Sequence, residues 1–354
     1  MKIKNFKIGD NHPPFIIAEF SANHMNNKNN FLRMIDYAKK AKVSAIKLQT
    51  YDADSMTVNV KLKNFMINDK KSIWYKNHLY DLYKKGSTPF DWHKEIFEYS
   101  KKKNLICFST PFDEESVDKL ESLNAPCYKI ASFECTDLSL IKKVSKTKKP
   151  VIISTGMATL DEISEAAECA RSSGCKNLAL LKCVSVYPAQ HDDLNLSSIK
   201  SLKKIFNCEV GFSDHTIGIG ASVAAVALGA NIIEKHFTLS KKNSGLDSKF
   251  SSDPEELSQL VKETNNAKKA IGRVFFGPVK LEIKARLRRR SIYCIKDIKK
   301  GEKFTIKNIK RIRPGYGLEP KYFMSLIGKK ATKKIKKGHP ITALNSNIIK
   351  SSVN

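Results

Sequence analysis

Long apolar runs are missing from this chain, and so is any close pairing of its cysteines. No stretch approaches the roughly 20 apolar residues that a bilayer-spanning helix needs, so a membrane helix is excluded. The eight cysteines include no CxxC pair, so neither a zinc knuckle nor a dithiol redox centre announces itself. The segment Met1-Lys-Ile-Lys-Asn-Phe-Lys7 lacks the apolar centre of a signal peptide; reduced thiols and a cytoplasmic location are expected. Acidic side chains are scarce, 35 Asp and Glu against 63 Lys and Arg, for a net charge of +28. That excess admits a nucleic acid, an anionic membrane surface or an acidic small molecule as partner. No nucleic-acid-binding motif or aromatic platform accompanies it, and the basic residues follow no single stripe. Polyanions are expected to be held without specificity, and neither a specific nucleic acid nor a membrane is expected as a partner.

What the chain does have is eight short apolar runs, each ending in polar or charged residues that its apolar character does not explain. They lead to Glu19, to Lys47 and Gln49, to Thr110, to Lys129 and Ser132, to Ser154, to Ser185, to Ser213 and His215, and to Glu234 and His236. Between most of them lies one amphipathic stretch with apolar residues at helical spacing, near 29–42, 90–103, 114–123, 138–146, 160–173, 194–206, 219–228 and 254–271. Eight strand-then-helix repeats in one domain predict a (β/α)8 TIM barrel, whose active site gathers at the C-terminal strand ends.

One connection breaks the rhythm. Between Thr50 and Pro89 lies a long insertion on the catalytic side, too aromatic for disorder, with Ile73-Trp74 and Leu79-Tyr-Asp-Leu-Tyr83. It reads as a lid that shapes the substrate site, with a packing excursion as the alternative. The barrel is placed at residues 1–275, and a linker with the run Arg286-Leu-Arg-Arg-Arg290 at 276–290. A small β-rich module follows at 291–354, with turns at Lys300-Gly301 and Lys337-Gly338. At about 60 residues its core is marginal, so it is expected to dock on something.

His215 and His236 fall just past neighbouring strand ends, and paired imidazoles at a barrel mouth suit a divalent transition metal. A lone histidine is more often structural; two in succession shift the balance towards a metal. Lys47, Lys129 and Lys182 share the strand pattern with hydroxyls at Thr110, Ser132, Ser154, Ser185 and Ser213. Buried lysines need partners, either Glu19 and Glu234 or an anion. Two carboxylates against three lysines leave a small polyanion, bearing phosphate and carboxylate, as the implied ligand. Glu19 is the candidate general base. Asp247, on a glycine-containing loop after the eighth strand, is placed to reach sugar hydroxyls.

Ile17-Ala-Glu19 with Asn23-His24, Ile46-Lys-Leu-Gln-Thr50, Ser109-Thr-Pro-Phe112, Lys129-Ile-Ala-Ser132, Ser154-Thr-Gly-Met157, Gly211-Phe-Ser-Asp-His-Thr216, Glu234-Lys-His-Phe-Thr238 and Arg313-Pro-Gly-Tyr-Gly317 run through nearly the whole chain. In this order they resemble the sialic acid synthase family, enzymes that condense phosphoenolpyruvate with an amino sugar into a nine-carbon nonulosonic acid. The segments around Trp74, Leu79–Tyr83, Thr88–Trp92, Leu181–Cys183, Gly245–Ser251 and Arg313–Leu318 resemble the branch that makes pseudaminic acid. Phe20, Met25 and Val184 depart from the usual pattern, which touches the sugar shell and leaves the metal and anion residues intact.

The resemblance implies a C-terminal antifreeze-like (SAF) domain and a domain-swapped homodimer in which Arg313 reaches the partner's sugar. It also implies a divalent metal, Mn2+ or else Mg2+ or Co2+, on His215 and His236. Phosphoenolpyruvate would be held by Lys47, Thr110, Lys129, Ser132, Ser154, Ser185 and Ser213. A 2,4-diacetamido-2,4,6-trideoxy hexose would be met by Gln49, Tyr187, Asp247 and Arg313. The alternatives are legionaminic or N-acetylneuraminic acid synthesis by the same chemistry, or a catalytically silent barrel that binds an anionic sugar or nucleic acid.

Overall fold

A computed structural model describes residues 1–242 and 245–348; the end of the predicted C-terminal module, 349–354, lies outside the described residues. The chain forms two compact units, Met1–Gly272 and Arg273–Asn354. In the first, a two-residue hairpin, β1 (Lys2–Ile3) with β2 (Phe6–Lys7), precedes eight strands: β3 (Phe15–Glu19), β4 (Ala45–Thr50), β5 (Ile106–Pro111), β6 (Tyr128–Ile130), β7 (Val151–Ser154), β8 (Leu178–Cys183), β9 (Glu209–Asp214) and β10 (Ile232–His236). They close in sequence order, β10 pairing with both β9 and β3, every pairing parallel.

Strand alternation sorts the core into two shells. Ile16, Ala18, Ile46, Leu48, Ile130, Ile153, Leu180, Val210 and Ile233 face outward and pack on the helices. Phe15, Ile17, Ala45, Phe108, Ile152, Ala179, Leu181 and Ile232 fill the barrel, closed below by Ile3 and Ile8 of the N-terminal segment. The hairpin's Phe6 meets Phe15 edge-on, ring centroids 4.9 Å apart. With this lower half filled by side chains, only the upper ends of the inward rows are left for chemistry.

The helices are α1 (Lys28–Lys40), α2 (Ala53–Met56), α3 (Leu79–Gly86), α4 (Phe90–Lys102), α5 (Glu114–Ser122), α6 (Leu138–Lys146), α7 (Leu160–Ser172), α8 (Ser198–Phe206), α9 (Gly220–Ala227) and α10 (Pro254–Ile271). Their starts are capped as their sequences direct: Asp113 and Asp137 accept from Ser116 and Leu140 amides, and Thr159 with Glu162 and Asp253 with Glu256 form reciprocal capping boxes. The helix expected from residue 194 begins only at Ser198, because Asn195 takes a left-handed φ of 47° that breaks the turn. Among the described residues no helix is long and apolar enough to cross a membrane, and all eight cysteines are free.

The second unit has its own core of Ile292, Phe304, Ile309, Leu318, Leu326, Ile335 and Ile341, around antiparallel β11 (Ser291–Cys294) and β12 (Ile309–Ile312), with one-turn α11 (Phe323–Leu326) and α12 (Ala343–Ser346). The stretch read as a linker carries two 3-10 turns, Lys280–Glu282 and Lys284–Arg288. The Gly315 amide donates to the Leu287 carbonyl at 2.8 Å. A Cβ at Gly315 would lie 3.1 to 3.4 Å from the carbonyl oxygens of Arg286, Arg289 and Leu287, so the Arg-Pro-Gly turn and the arginine run are packed as one piece.

Candidate active site

Because side chains alternate along each strand, the inward upper positions are Glu19, Lys47, Gln49, Thr110, Lys129, Ser154, Ser213 and Glu234, with His215 and His236 one step above. A small inner chamber of about 50 Å³ is lined by these residues together with Ser132, Phe133, Ala131 and Tyr187. It opens into an outer chamber of about 420 Å³, which shares Gln49, Ala131, Phe133, Tyr187 and His236 with it. Asp247 lines the outer chamber. Ser185 stands beside the inner one: a Cβ on Gly156 would fall 2.2 Å from the Ser185 hydroxyl and 2.8 Å from that of Ser132, so only glycine lets the chain after β7 pass between them. Arg313 belongs to the second unit, where it is exposed beside the cis Arg313–Pro314 bond.

The inner chamber is a four-charge network. Lys47 pairs with Glu19, approaches Glu234 at 3.8 Å, and donates to the Thr110 hydroxyl at 3.0 Å. Lys129 lies 3.7 Å from Glu234, which also accepts from the Ser213 hydroxyl at 3.1 Å. All four charged groups are buried. Burial pushes the Glu19 carboxyl up to about 7, with Lys47 opposing. Burial acts in the same direction on Glu234, but Lys129 and Lys47 outweigh it and hold Glu234 below its ordinary value. The two carboxylates are thus pushed apart, one kept ionised and one poised near neutrality, the arrangement that separates a structural charge from a proton acceptor.

Lys182 corrects the sequence reading. It shares the outward row of β8 with Leu180, is half-buried, and its Nζ donates to the Cys183 carbonyl at 3.3 Å. Two lysines therefore meet two carboxylates, and surplus lysine charge alone does not demand an anion. The stronger sign is the Ser154 hydroxyl, buried in the chamber wall without a hydrogen-bond partner among the described residues.

Cys183 is the residue that β8 does turn inward, and sequence reasoning passed over it. Its Sγ is 3.8 Å from His215 Nδ1. Burial would raise the thiol, but the neighbouring imidazole brings it down to about 7, and His215 is raised in turn despite its burial. The period-two count along Leu178–Cys183 was the available signal. Glu134 was also missed; it lines the outer chamber, its Oε2 has no hydrogen-bond partner among the described residues, and burial lifts its carboxyl to about 7. It stands on a 3-10 turn beyond β6, where no strand or helix period points it anywhere.

The histidine pair fits a metal. The rings lie 5.3 Å apart. His215 Nδ1 is 2.9 Å from the Val184 carbonyl oxygen, which places its proton there and leaves Nε2 as a lone pair, the usual support for a ligating imidazole. Among the described residues His236 Nδ1 is buried without a hydrogen-bond partner, 3.7 Å from Asp247 Oδ2. Burial first, then His215 and Lys47, holds His236 well below its ordinary pKa, in the neutral form that binds metal. Among the described residues no group of three His, Cys, Asp or Glu side chains forms a metal cluster. His215 and His236 could supply a metal with two nitrogen ligands, the other positions then falling to water or substrate.

The ligands' backbone is clamped from outside the barrel. Asp214 accepts from the Thr216 amide at 2.8 Å, and Lys235 bridges Asp214 at 3.0 Å and the Thr216 carbonyl at 2.7 Å. Asn23 binds the Phe237 carbonyl at 2.9 Å and the Ser251 hydroxyl at 2.8 Å, drawing the loop of Asp247 against the first strand.

The profile of the NeuB family matches residues 34–275, and that of the SAF domain matches residues 289–345. The chain is similar to the pseudaminic acid synthase of Campylobacter jejuni subsp. jejuni serotype O:2, 45% identical over 338 residues, 96% of this chain and 97% of that one. It is 43% identical to the pseudaminic acid synthase of Helicobacter pylori, over 94% of this chain and 97% of the relative. Among solved structures it resembles the N-acetylneuraminic acid synthetase of Leptospira borgpetersenii serovar Hardjo-bovis in complex with citrate, with a TM-score of 0.72 and 35% identity over 80% of this chain and 94% of that chain.

Proposed function

The chain belongs to the NeuB family of phosphoenolpyruvate-dependent condensing enzymes, and from that premise we propose that it is a pseudaminic acid synthase. The pyranose ring of 2,4-diacetamido-2,4,6-trideoxy-altropyranose opens to the aldehyde, C3 of phosphoenolpyruvate bonds to that aldehyde carbon, and the aldehyde oxygen takes up a proton. Water adds at C2, and phosphate leaves with cleavage of its C–O bond. The observation that carries this reading is the joined pair of chambers, a polar one with buried Lys47 and Lys129 and a sugar-sized one, meeting at His236.

Lys47, Lys129 and the hydroxyls of Thr110, Ser132, Ser154, Ser185 and Ser213 hold the phosphate and carboxylate by charge-assisted hydrogen bonds. Glu19, poised near neutrality, orients the attacking water and accepts its proton. Gln49, Tyr187 and Asp247 meet the sugar. A divalent ion on His215 and His236, Mn2+ with Mg2+ or Co2+ as alternatives, supplies Lewis-acid polarisation of the aldehyde. The test is phosphate release from phosphoenolpyruvate, which requires both sugar and metal, with the product identified by mass across a panel of hexoses. Turnover confined to the legionaminic precursor or to N-acetylmannosamine would overturn the choice of sugar and leave the chemistry.

The working form in this proposal is a cytoplasmic homodimer in which the SAF unit of one chain covers its partner's barrel and presents Arg313. Mixing inactive Arg313→Ala with inactive His236→Ala then restores activity through one intact site per mixed dimer. Proven mixed dimers without activity would mean that the cap serves its own chain.

A further inference from the structure

The outer chamber has two unlike walls. One carries Gln49, Glu134, His236 and Asp247; the other is made largely by the Tyr51–Gly86 insertion, which contributes an apolar patch of Met56, Ile67, Leu79 and Leu82 beside Tyr51, Trp74 and Tyr83. The insertion is anchored. Trp74 Nε1 donates to the Leu246 carbonyl at 3.1 Å, beside Asp247, and the Trp74 ring lies 5.4 Å from that of Tyr187. At the insertion's far end a Cβ on Gly86 would fall 3.0 Å from the Tyr51 hydroxyl and 3.3 Å from Ala22 and Leu246, so the chain returns to the barrel in close contact. Met56, Ile67, Leu79 and Leu82 are half-buried and line the chamber.

The patch of Met56, Ile67, Leu79 and Leu82 leaves a ligand hydroxyl placed against it desolvated and unpaired, and it accepts methyl groups. A hydroxyl turned toward that patch is disfavoured, whereas one turned toward the polar wall or the two tyrosines finds a partner. We propose that the insertion wall, centred on Met56 and Leu82, is the specificity element of the enzyme, selecting a sugar with a methyl group at C6 and acetamido methyls in place of hydroxyls. This rests on the sugar reading above and adds where the selection is made: on the insertion of the same chain.

The test compares kcat/KM for the 2,4,6-trideoxy diacetamido sugar with that for its 6-hydroxy analogue, in the full-length protein and in Leu82→Asn. A methyl in an apolar pocket accounts for discrimination of about 10- to 200-fold, so the unaltered enzyme is expected to prefer the 6-deoxy sugar within that range. Leu82→Asn is expected to lower the preference at least tenfold, with the KM for phosphoenolpyruvate and the melting temperature close to those of the parent. Should Leu82→Asn not fold, Met56→Gln in the same wall gives the same readout. Equal losses for both sugars, or a preserved ratio in a folded variant, would overturn the wall proposal while the reaction stands. Failure of the unaltered protein to use the trideoxy sugar would overturn the proposal together with the sugar reading.

Discussion

The inner and outer chambers are built on opposite principles. Every charged group of the inner chamber stands on a strand of the closed barrel, held in register by ladders on both sides, and each has an oppositely charged partner within the same ring. The outer chamber is walled largely by connections between strands: the 51–86 insertion with its short helices α2 and α3, the 3-10 turn after β6 and the segment of Leu246, Asp247 and Phe250. Strand ends give the fixed geometry that charge-stabilised chemistry needs. Loops give a surface whose side chains can change without moving the chemistry. The difference teaches that the reaction and the choice of sugar are physically separable here, joined at Gln49, Ala131, Phe133, Tyr187 and His236.

The hardest test of that separation is the histidine pair, where both chambers meet. His215→Ala or His236→Ala is expected to abolish turnover and weaken divalent-metal binding, with the fold retained because each side chain stands at the end of its strand. Metal affinity measured by competition with a chelating dye checks this independently of activity. Full activity of the double variant in chelator-treated buffer would sink the metal reading.

Next in size is Lys129→Ala, which removes an inner-chamber cation and leaves Glu234 short of one partner. Truncating one member of a buried charge pair costs about 2–5 kcal/mol, and the loss is expected in kcat/KM for phosphoenolpyruvate. The KM for sugar should change little if the chambers are separable. An unchanged KM for phosphoenolpyruvate, with sugar saturating, would make Lys129 a structural residue.

Glu19 gives a milder effect with a defined sign. Its carboxyl is raised to about 7 by burial, so as a proton acceptor it is competent above that value and lost as the pH falls through it. The acid limb of the pH–rate profile is therefore expected near pH 7, and Glu19→Gln should lower kcat and flatten that limb. An acid limb that persists unchanged in Glu19→Gln would assign it to another group.

How much of this was legible beforehand follows from the same contrast. The barrel and the inner residues could be read because apolar runs with polar ends carry a period of two, and a helix between each pair fixes which end is the mouth. Asn195 hid the true start of α8, since a left-handed residue leaves no mark on a helical apolar pattern. Glu134 was not legible, because a residue on a 3-10 turn has no periodicity to aim it; the insertion could be read from its aromatic residues as a lid that shapes the substrate site, but its individual contacts, such as Trp74 with Leu246, come from segments far away in sequence. The charge reading missed an asymmetry that is in the sequence. Residues 273–354 contain only Glu282, Asp297, Glu302 and Glu319 as acids against 23 Lys and Arg, so the excess is concentrated in the second unit rather than spread evenly.

The smallest predicted effect isolates the rule of alternation itself. Lys182 and Lys129 look alike in sequence, each a lysine near the end of an apolar run. Lys129 is turned into the inner chamber and buried, whereas Lys182 stands on the other side of its strand with its Nζ on a backbone carbonyl. Lys182→Ala removes one partly exposed hydrogen bond, a change of about 0.5–1.5 kcal/mol in stability at most, and no contact with the chamber. Its kcat/KM for phosphoenolpyruvate is expected within about threefold of the parent, against a loss of 30-fold or more for Lys129→Ala, the lower end of the 2–5 kcal/mol range. If Lys182→Ala instead raised the KM for phosphoenolpyruvate as much as Lys129→Ala, the inward register of β8 would be wrong by one residue. Cys183 would then leave the site, and the assignment of every inward residue on that strand would have to be reversed.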